Sequence, residues 1–166
     1  KTTLSISDNT DMTAIKCVAL TVITDNGLQT VNLDDIYGRG QASSIVITLT
    51  NALGGEPLDL TEPSDSDANG LVDTDSIHKL IVTYTDLNQR IGNIYWSKTF
   101  EGNNDGDELL EAGEKAEVTV TLKGLAAANP LVRSTEFDLE FRPEDGGVMV
   151  IQRTMPSKID SVMSLN

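Results

Sequence analysis

Glu136-Phe137-Asp138-Leu139-Glu140-Phe141 is the stretch that decides the fold, because apolar and acidic side chains alternate along it without interruption. Successive side chains of a β-strand point to opposite faces, so this pattern predicts a strand with one buried face and one solvated face. The segment Val118-Thr119-Val120-Thr121-Leu122 repeats the alternation with threonines in place of carboxylates. Both segments therefore predict sheets that bury one side against another layer.

Short segments rich in Val, Ile and Thr recur along the rest of the chain, separated by Asn, Asp, Gly and Pro, and helix signals are weak. This rhythm is typical of all-β proteins. We expect a two-sheet antiparallel β-sandwich, immunoglobulin-like or jelly-roll-like, with long acidic loops. The predicted strands are residues 14–24, 43–51, 77–85, 92–100, 116–123, 135–142 and 148–154.

Length and pattern together predict one folded domain. A chain of 166 residues can bury a substantial core, and we assign residues 14–166 to the sandwich. Residues 1–13 are polar and show no strand pattern, so we interpret them as an N-terminal arm that continues an upstream element.

The charge balance excludes several classes of partner. The chain has 12 Lys and Arg against 26 Asp and Glu, a formal net charge of −14. Phosphate binding needs clustered basic residues, so we expect no nucleic acid partner, and anionic membrane surfaces are disfavoured for the same reason. Cys17 is the only cysteine, so no internal disulfide can form.

The sequence does not predict an enzyme or a small-molecule substrate. His78 is the only histidine, and both His78 and Cys17 lie in apolar strand patterns without a partner motif. Gly-x-Ser-x-Gly elbows and phosphate-binding glycine loops are absent. Carboxylate pairs of the glycosidase kind are unavoidable among so many acids, but a sugar cleft needs aromatic residues, which make up 4% of the chain.

The strongest chemical signal is the acidic loop from Asn103 to Glu114. Counted from Asn103, oxygen donors fall at positions one, three, five, seven, nine and twelve, which is the calcium-ligand spacing of an EF-hand loop. Glu108 occupies the position that is usually glycine, and a strand rather than a helix follows, so this is no EF-hand domain; an acidic surface turn is the alternative interpretation. The candidate Ca²⁺ ligands are Asn103, Asp105, Asp107, the Leu109 carbonyl, Glu111 and Glu114.

A second, weaker candidate is the loop from Asp65 to Ser76. Gly70 stands at the expected sixth position, but the twelfth position is Ser76 rather than a bidentate glutamate. The loop therefore wraps differently, borrows a ligand, shares one ion with the first loop, or binds nothing. Its candidate ligands are Asp65, Asp67, Asn69, Leu71 and Asp73.

The C-terminal third carries a resemblance to a known family. Phe141-Arg142-Pro143-Glu144-Asp145-Gly146-Gly147 is followed by Val150-Ile151-Gln152-Arg153-Thr154-Met155-Pro156. This resembles the end of an archaeal flagellin, or archaellin, where a turn with proline and glycine leads to a strand and an Arg-Thr-x-Pro segment. Ile45 to Asn51 with Pro57-Leu58-Asp59-Leu60 resembles that family's first outer strand and following turn, and the acidic loop with Leu109, Leu110, Gly113 and Glu114 also resembles the family.

The resemblance implies a structural role. Archaellins join a hydrophobic N-terminal assembly helix to a β-sandwich outer domain, and this chain resembles the outer domain alone. The arm of residues 1–13 is then the stub of the missing helix. We expect an extracellular subunit of an archaellum filament, with other copies of itself or related archaellins as partners, and with membrane contact only through the missing segment.

A calcium-stabilised extracellular binding or adhesin module is the alternative, because β-sandwiches also display ligands at their loop ends. Tyr95-Trp96 is the natural candidate patch. The two side chains point to opposite faces of a strand, so the sequence favours plain packing over a two-ring sugar platform.

Overall fold

A computed structural model describes residues 19–24, 27–32, 40–51, 55–160 and 162–165. The chain divides into two compact units, Lys1–Gly40 and Gln41–Asn166. In the first unit, β1 (Ala19–Thr24) and β2 (Gly27–Asn32) form an antiparallel hairpin. The predicted arm of residues 1–13 and the start of the predicted first strand, residues 14–18, lie outside the described residues.

The second unit contains two antiparallel sheets that share one core. Its strands are β3 (Ser44–Thr50), β4 (Leu58–Asp59), β5 (Ile81–Asp86), β6 (Arg90–Ile91), β7 (Trp96–Glu101), β8 (Leu109–Leu110), β9 (Lys115–Thr121), β10 (Glu136–Arg142) and β11 (Met149–Thr154). One sheet has the order β11-β10-β5-β6, the other has the order β3-β9-β7, and β4 and β8 form a short separate pair. The prediction of an all-β, two-sheet antiparallel sandwich is confirmed.

The alternation read from the sequence sets the core. Phe137, Leu139 and Phe141 of β10 are at most 2% exposed, whereas the acidic residues between them lie on the outer face. Trp96 is fully buried, and its indole Nε1 donates a hydrogen bond to the Leu80 carbonyl at 3.1 Å. Trp96 is therefore a core residue, and Tyr95-Trp96 does not form a two-ring surface platform.

Strand ends differ from the predicted ones where the chain makes long-range contacts. β7 begins at Trp96 rather than Gly92, because Asn93 adopts a left-handed conformation with φ of 54° and Ile94 bridges to Leu71. β2, β4, β6 and β8 were not predicted; the last three are only two residues long and show no periodicity of their own. Among the described residues, no helix is long and apolar enough to cross a membrane.

The hairpin between β5 and β6 is organised by Asp86. Its carboxylate accepts hydrogen bonds from the amides of Asn88 and Gln89 at 2.7 and 2.9 Å and from the Tyr84 hydroxyl at 2.8 Å. Burial opposes ionisation of Asp86, but these hydrogen bonds outweigh it and lower the pKa. Burial, together with this carboxylate, raises the pKa of Tyr84, whose ring stacks on Phe137.

We expect Asp86→Ala to lower the free energy of unfolding by about 1–3 kcal/mol, because the buried Tyr84 hydroxyl and two turn amides lose their acceptor. The folded-state pKa of Asp86 lies below the unfolded value of about 3.9, so its contribution is present above that pH and is lost as pH falls through the folded-state pKa. Urea unfolding of both proteins between neutral and acid pH checks this.

Exposed Asp75 provides the matched control, since Asp75→Ala removes a carboxylate that holds no turn together. Equal losses in Asp86→Ala and Asp75→Ala, or a loss for Asp86→Ala that stays constant down to low pH, contradict the role given to Asp86.

Candidate metal-binding loops

The weaker of the two predicted loops is the one whose carboxylates converge. It lies between β4 and β5, and oxygen atoms of Asp65, Asp67 and Asp73 come within 4.8 Å of one another. Within the described residues, no other group of three or more His, Cys, Asp or Glu side chains meets that distance. The D-x-D-x-N-G spacing of the sequence thus corresponds to a real cluster.

Local hydrogen bonds wind the chain around Asp65. The two carboxylate oxygens of Asp65 accept from the amides of Asn69 and Gly70 at 3.0 and 2.9 Å. Asp67 accepts from the same Asn69 amide at 3.2 Å, and the Asn69 side-chain oxygen accepts from the Leu71 amide at 2.7 Å. Short side chains that accept bonds from following backbone amides are typical of Asx turns, so the spacing of these residues produces the curvature.

Asp73 closes the loop by bonding back to its beginning. Its carboxylate accepts from the Ser66 amide at 3.0 Å, and its own amide donates to the Ser64 carbonyl at 2.8 Å. The hydrogen bond from the Ser66 backbone is the main reason that the pKa of Asp73 is lowered. The loop therefore holds this carboxylate in its charged form.

Close backbone packing between Gly70 and Gly124 holds the loop against the sandwich. Gly70 has φ of +88°, and a Cβ added to it would lie 2.4 Å from the Gly124 amide nitrogen. Lys123, beside Gly124, donates its ammonium to the Ala68 carbonyl. The loop and the turn after β9 therefore meet backbone to backbone, which no larger residue at position 70 permits.

The Leu71 carbonyl takes no part in the backbone bridge that holds this segment. Residues 71 and 94 form an antiparallel bridge whose two bonds run from the Val72 amide to the Asn93 carbonyl and from the Tyr95 amide to the Gly70 carbonyl. That bridge does not use the Leu71 carbonyl. The backbone oxygen predicted at the seventh loop position is consequently outside the ladder.

A group of polar side chains that no sequence motif predicted holds the end of the loop. The two ring nitrogens of His78 lie 3.1 Å from the Ser76 hydroxyl and 2.8 Å from the Asn93 side-chain oxygen. The Ser76 hydroxyl also accepts from the Ser64 amide at 3.0 Å. Only the fold brings these positions together, so no local spacing signalled them; the strand interpretation of His78 did not anticipate this role.

The chemistry of this loop suits a hard cation. Three carboxylates within one small volume repel one another, and a divalent ion relieves that repulsion. Carboxylate, amide and carbonyl oxygens are the donors that Ca²⁺ prefers. Negative charge is also felt nearby, since burial and then the charges of Glu62 and Asp65 raise the pKa of Tyr95.

The stronger predicted loop, Asn103 to Glu114, is built differently. The side chains of Asn104, Asp105 and Asp107 each accept from a backbone amide two residues later, at 2.8, 3.3 and 2.8 Å. These three bonds form successive local turns along an exposed segment. They do not gather the side chains around a common point. Glu108, at the position usually occupied by glycine, pairs instead with the Lys98 ammonium.

The second half of this loop is fixed by backbone contacts. Leu109 and Leu110 form β8, which pairs with β4, and the Asn51 side chain donates to the Leu110 carbonyl at 3.1 Å. The Glu114 carboxylate accepts from the Glu111 amide at 2.9 Å, and the Glu114 amide donates to the Glu111 carbonyl at 3.2 Å. Glu114 is thereby engaged in a turn of its own.

Both loops remain predicted cation sites, and the geometry ranks them in the opposite order to the sequence. The structure groups Asp65, Asp67 and Asp73, and it leaves Asp105, Asp107, Glu111 and Glu114 apart in local turns. An ion in the loop from Asn103 to Glu114 requires those turns to open and their carboxylates to converge. The carboxylates of Asp65, Asp67 and Asp73 already lie close together, although they too accept hydrogen bonds from backbone amides.

Comparisons with known proteins agree with the fold and with the motifs. A family model for archaeal-type flagellin matches residues 1–153. Probable flagellin 1 of Archaeoglobus fulgidus is 30% identical over 133 residues, which is 74% of this chain and 61% of that protein. This chain thus spans about three-fifths of the length of that relative. The crystal structure of archaeal flagellin FlaB1 from Methanocaldococcus jannaschii matches with a TM-score of 0.54 at 15% identity, over 74% of this chain and 83% of that one, and shows likeness of fold.

The contact between Gly70 and Gly124 predicts a specific loss of stability. We expect Gly70→Ala to lower the free energy of unfolding by at least about 1 kcal/mol more than Gly113→Ala, measured by chemical denaturation. Both glycines have positive φ, +88° and +93°, but a Cβ at Gly113 meets nothing within 4 Å. The difference isolates the close approach from the backbone strain, and equal losses contradict it.

Proposed function

The chain belongs to the archaeal-type flagellin family, and on that premise we propose that its β-sandwich forms the outer, solvent-facing surface of an archaellum filament. The observation that carries the proposal is the family match over residues 1–153, which includes nearly the whole sandwich. The family also favours a structural rather than a catalytic role. The partners are then other copies of this subunit or related archaellins, and the location is extracellular.

The physical character of the unit supports that role. A filament exterior has to stay folded while fully exposed, and here two sheets bury a continuous apolar core beneath an acidic surface. Excess negative charge keeps a surface solvated, although it also generates self-repulsion. Bound cations offset that repulsion where carboxylates crowd together.

We propose further that a structural Ca²⁺ stabilises this surface by binding to the loop from Asp65 to Ser76. Asp65, Asp67 and Asp73 supply the charge, and Asn69 and the Leu71 carbonyl are the neutral oxygens that the loop spacing assigns to the ion. Support comes from the convergence of the three carboxylates. The ion would join the start of the loop to its end without a disulfide.

Filament membership has a direct test. Antibodies raised against this chain are expected to label filaments purified from the cells that produce it, along their whole length, in immunogold electron microscopy. Filaments from cells that lack the gene serve as the control. Label confined to cell bodies, with bare filaments, contradicts the proposed function.

Calcium stabilisation is tested by thermal unfolding in EDTA and in calcium. Free Ca²⁺ at 100 times its Kd stabilises the folded state by about 2.7 kcal/mol, which raises the Tm by about 5–10 °C for a domain of this size. We expect Asp67→Asn to remove most of this rise, because it deletes one converging carboxylate.

Asp107→Asn is the matched control in the first loop, and we expect it to keep the rise. An unchanged Tm in the wild type on adding calcium removes the structural ion from the proposal. Loss of the rise in Asp107→Asn alone assigns the ion to the loop from Asn103 to Glu114 instead.

A further inference from the structure

The second unit is open along one side. There β3 and β11 are the outermost strands of their sheets, and within this unit no described strand pairs with their outer edges. Between them runs a groove of about 870 Å³. Its lining includes Ile45, Ile47, Phe137, Leu139, Ile151 and Met155, together with residues 159–160 and 162–165. Of these, Phe137, Leu139 and Met155 are buried and Ile45, Ile47 and Ile151 are partly buried, so the groove contacts the apolar core.

These two edges lack the features that normally prevent edge-to-edge pairing. β3 has neither a charged residue nor a proline, and β11 has Arg153 as its single charge. Val46 of β3 is 54% exposed and Val150 of β11 is 59% exposed. Exposed apolar edge strands without protecting charges are templates for another strand.

The opposite edges of the same sheets are protected. β6 consists of two residues, one of which is Arg90. β7 carries Lys98 and Glu101, and the Lys98 amide is already bonded to the Glu62 carboxylate at 2.6 Å. The chain therefore has charged residues that protect two of its edge strands, β6 and β7. Their absence from β3 indicates that this edge is available for pairing.

The distribution of charge favours a second copy of this chain as the occupant. The chain carries a net charge of −14, yet residues 41–51 contain no charged residue and residues 146–159 contain no Asp or Glu. Asp160, which also lines the groove, is paired with Lys158 at 2.9 Å. Two copies that approach through acidic faces repel one another, whereas approach through this side avoids that repulsion.

We propose that the surface formed by β3, β11 and the groove between them binds an extended segment of a second copy of this chain, which adds a strand to the edge of β11. The inference rests on the proposed function, since it names the surface through which subunits associate. Backbone pairing along β11 supplies affinity, and alternate apolar side chains of the incoming strand fill the groove.

Sedimentation velocity of the chain over a concentration series, at about 0.15 M salt where charges are screened beyond about 8 Å, measures the association. We expect a Kd of about 1 mM or tighter for the wild type, and an increase of about tenfold in Val150→Lys and in Val46→Lys. Val150 pairs across the strands with Glu140, so a lysine there has an acidic neighbour, and we expect the variant to fold.

Leu87→Lys is the matched control, because Leu87 is 96% exposed at the tip of the β5–β6 hairpin, away from the groove. Its Kd is expected to equal that of the wild type. A wild type that is monomeric to about 1 mM, or equal Kd values for Val150→Lys, Val46→Lys and Leu87→Lys, overturns the inference.

Hydrogen exchange distinguishes a second copy from the chain's own segments. Protection of the β11 amides that point away from β10 is expected to increase with protein concentration; protection that is independent of concentration means that the same molecule fills the groove, and overturns the inference. Failure of filament labelling contradicts the proposed function, whereas labelled filaments together with a monomeric chain contradict only this inference.

Discussion

Burial of alternating apolar side chains between two sheets is the interaction on which the rest of the second unit depends. Trp96, Leu139 and Val120, from three strands of the two sheets, are all fully buried in one core. Full burial of a large apolar side chain contributes about 1.5–3 kcal/mol. The long loops contain little regular structure, so the positions of their carboxylates are set by the strands that hold their ends.

That framework explains why the two acidic loops differ. The loop from Asp65 to Ser76 packs at Gly70 against Gly124 and pairs at Leu71 with Ile94. Its backbone amides donate hydrogen bonds to the Asp65 carboxylate. The loop from Asn103 to Glu114 contains β8, which pairs with β4 and makes the backbone extended at Leu109. Loops of comparable charge thus present their carboxylates in different ways, because their backbone partners differ.

The surface of the unit divides by charge in a way that suits a filament subunit. Carboxylates cover the loops and the outer face of β10, whereas the groove between β3 and β11 is lined by apolar and uncharged polar residues, Arg153 and a single acid, Asp160, which is paired with Lys158. An acidic exterior favours solvation, and an edge without acidic residues favours association. This division of charge is consistent with the proposed association through the side that carries β3 and β11.

The sequence by itself determined the sandwich, the inward faces of its strands, the family and both candidate loops. These follow from period-two alternation at positions such as Phe137 and from short motifs, which are local properties of the chain. Tertiary structure alone decided that Trp96 is core, that His78 braces a loop with Asn93, and that the carboxylates of the second loop converge. It also decided which strand edges stay bare. Such features depend on which distant segments meet, and no local spacing encodes that pairing.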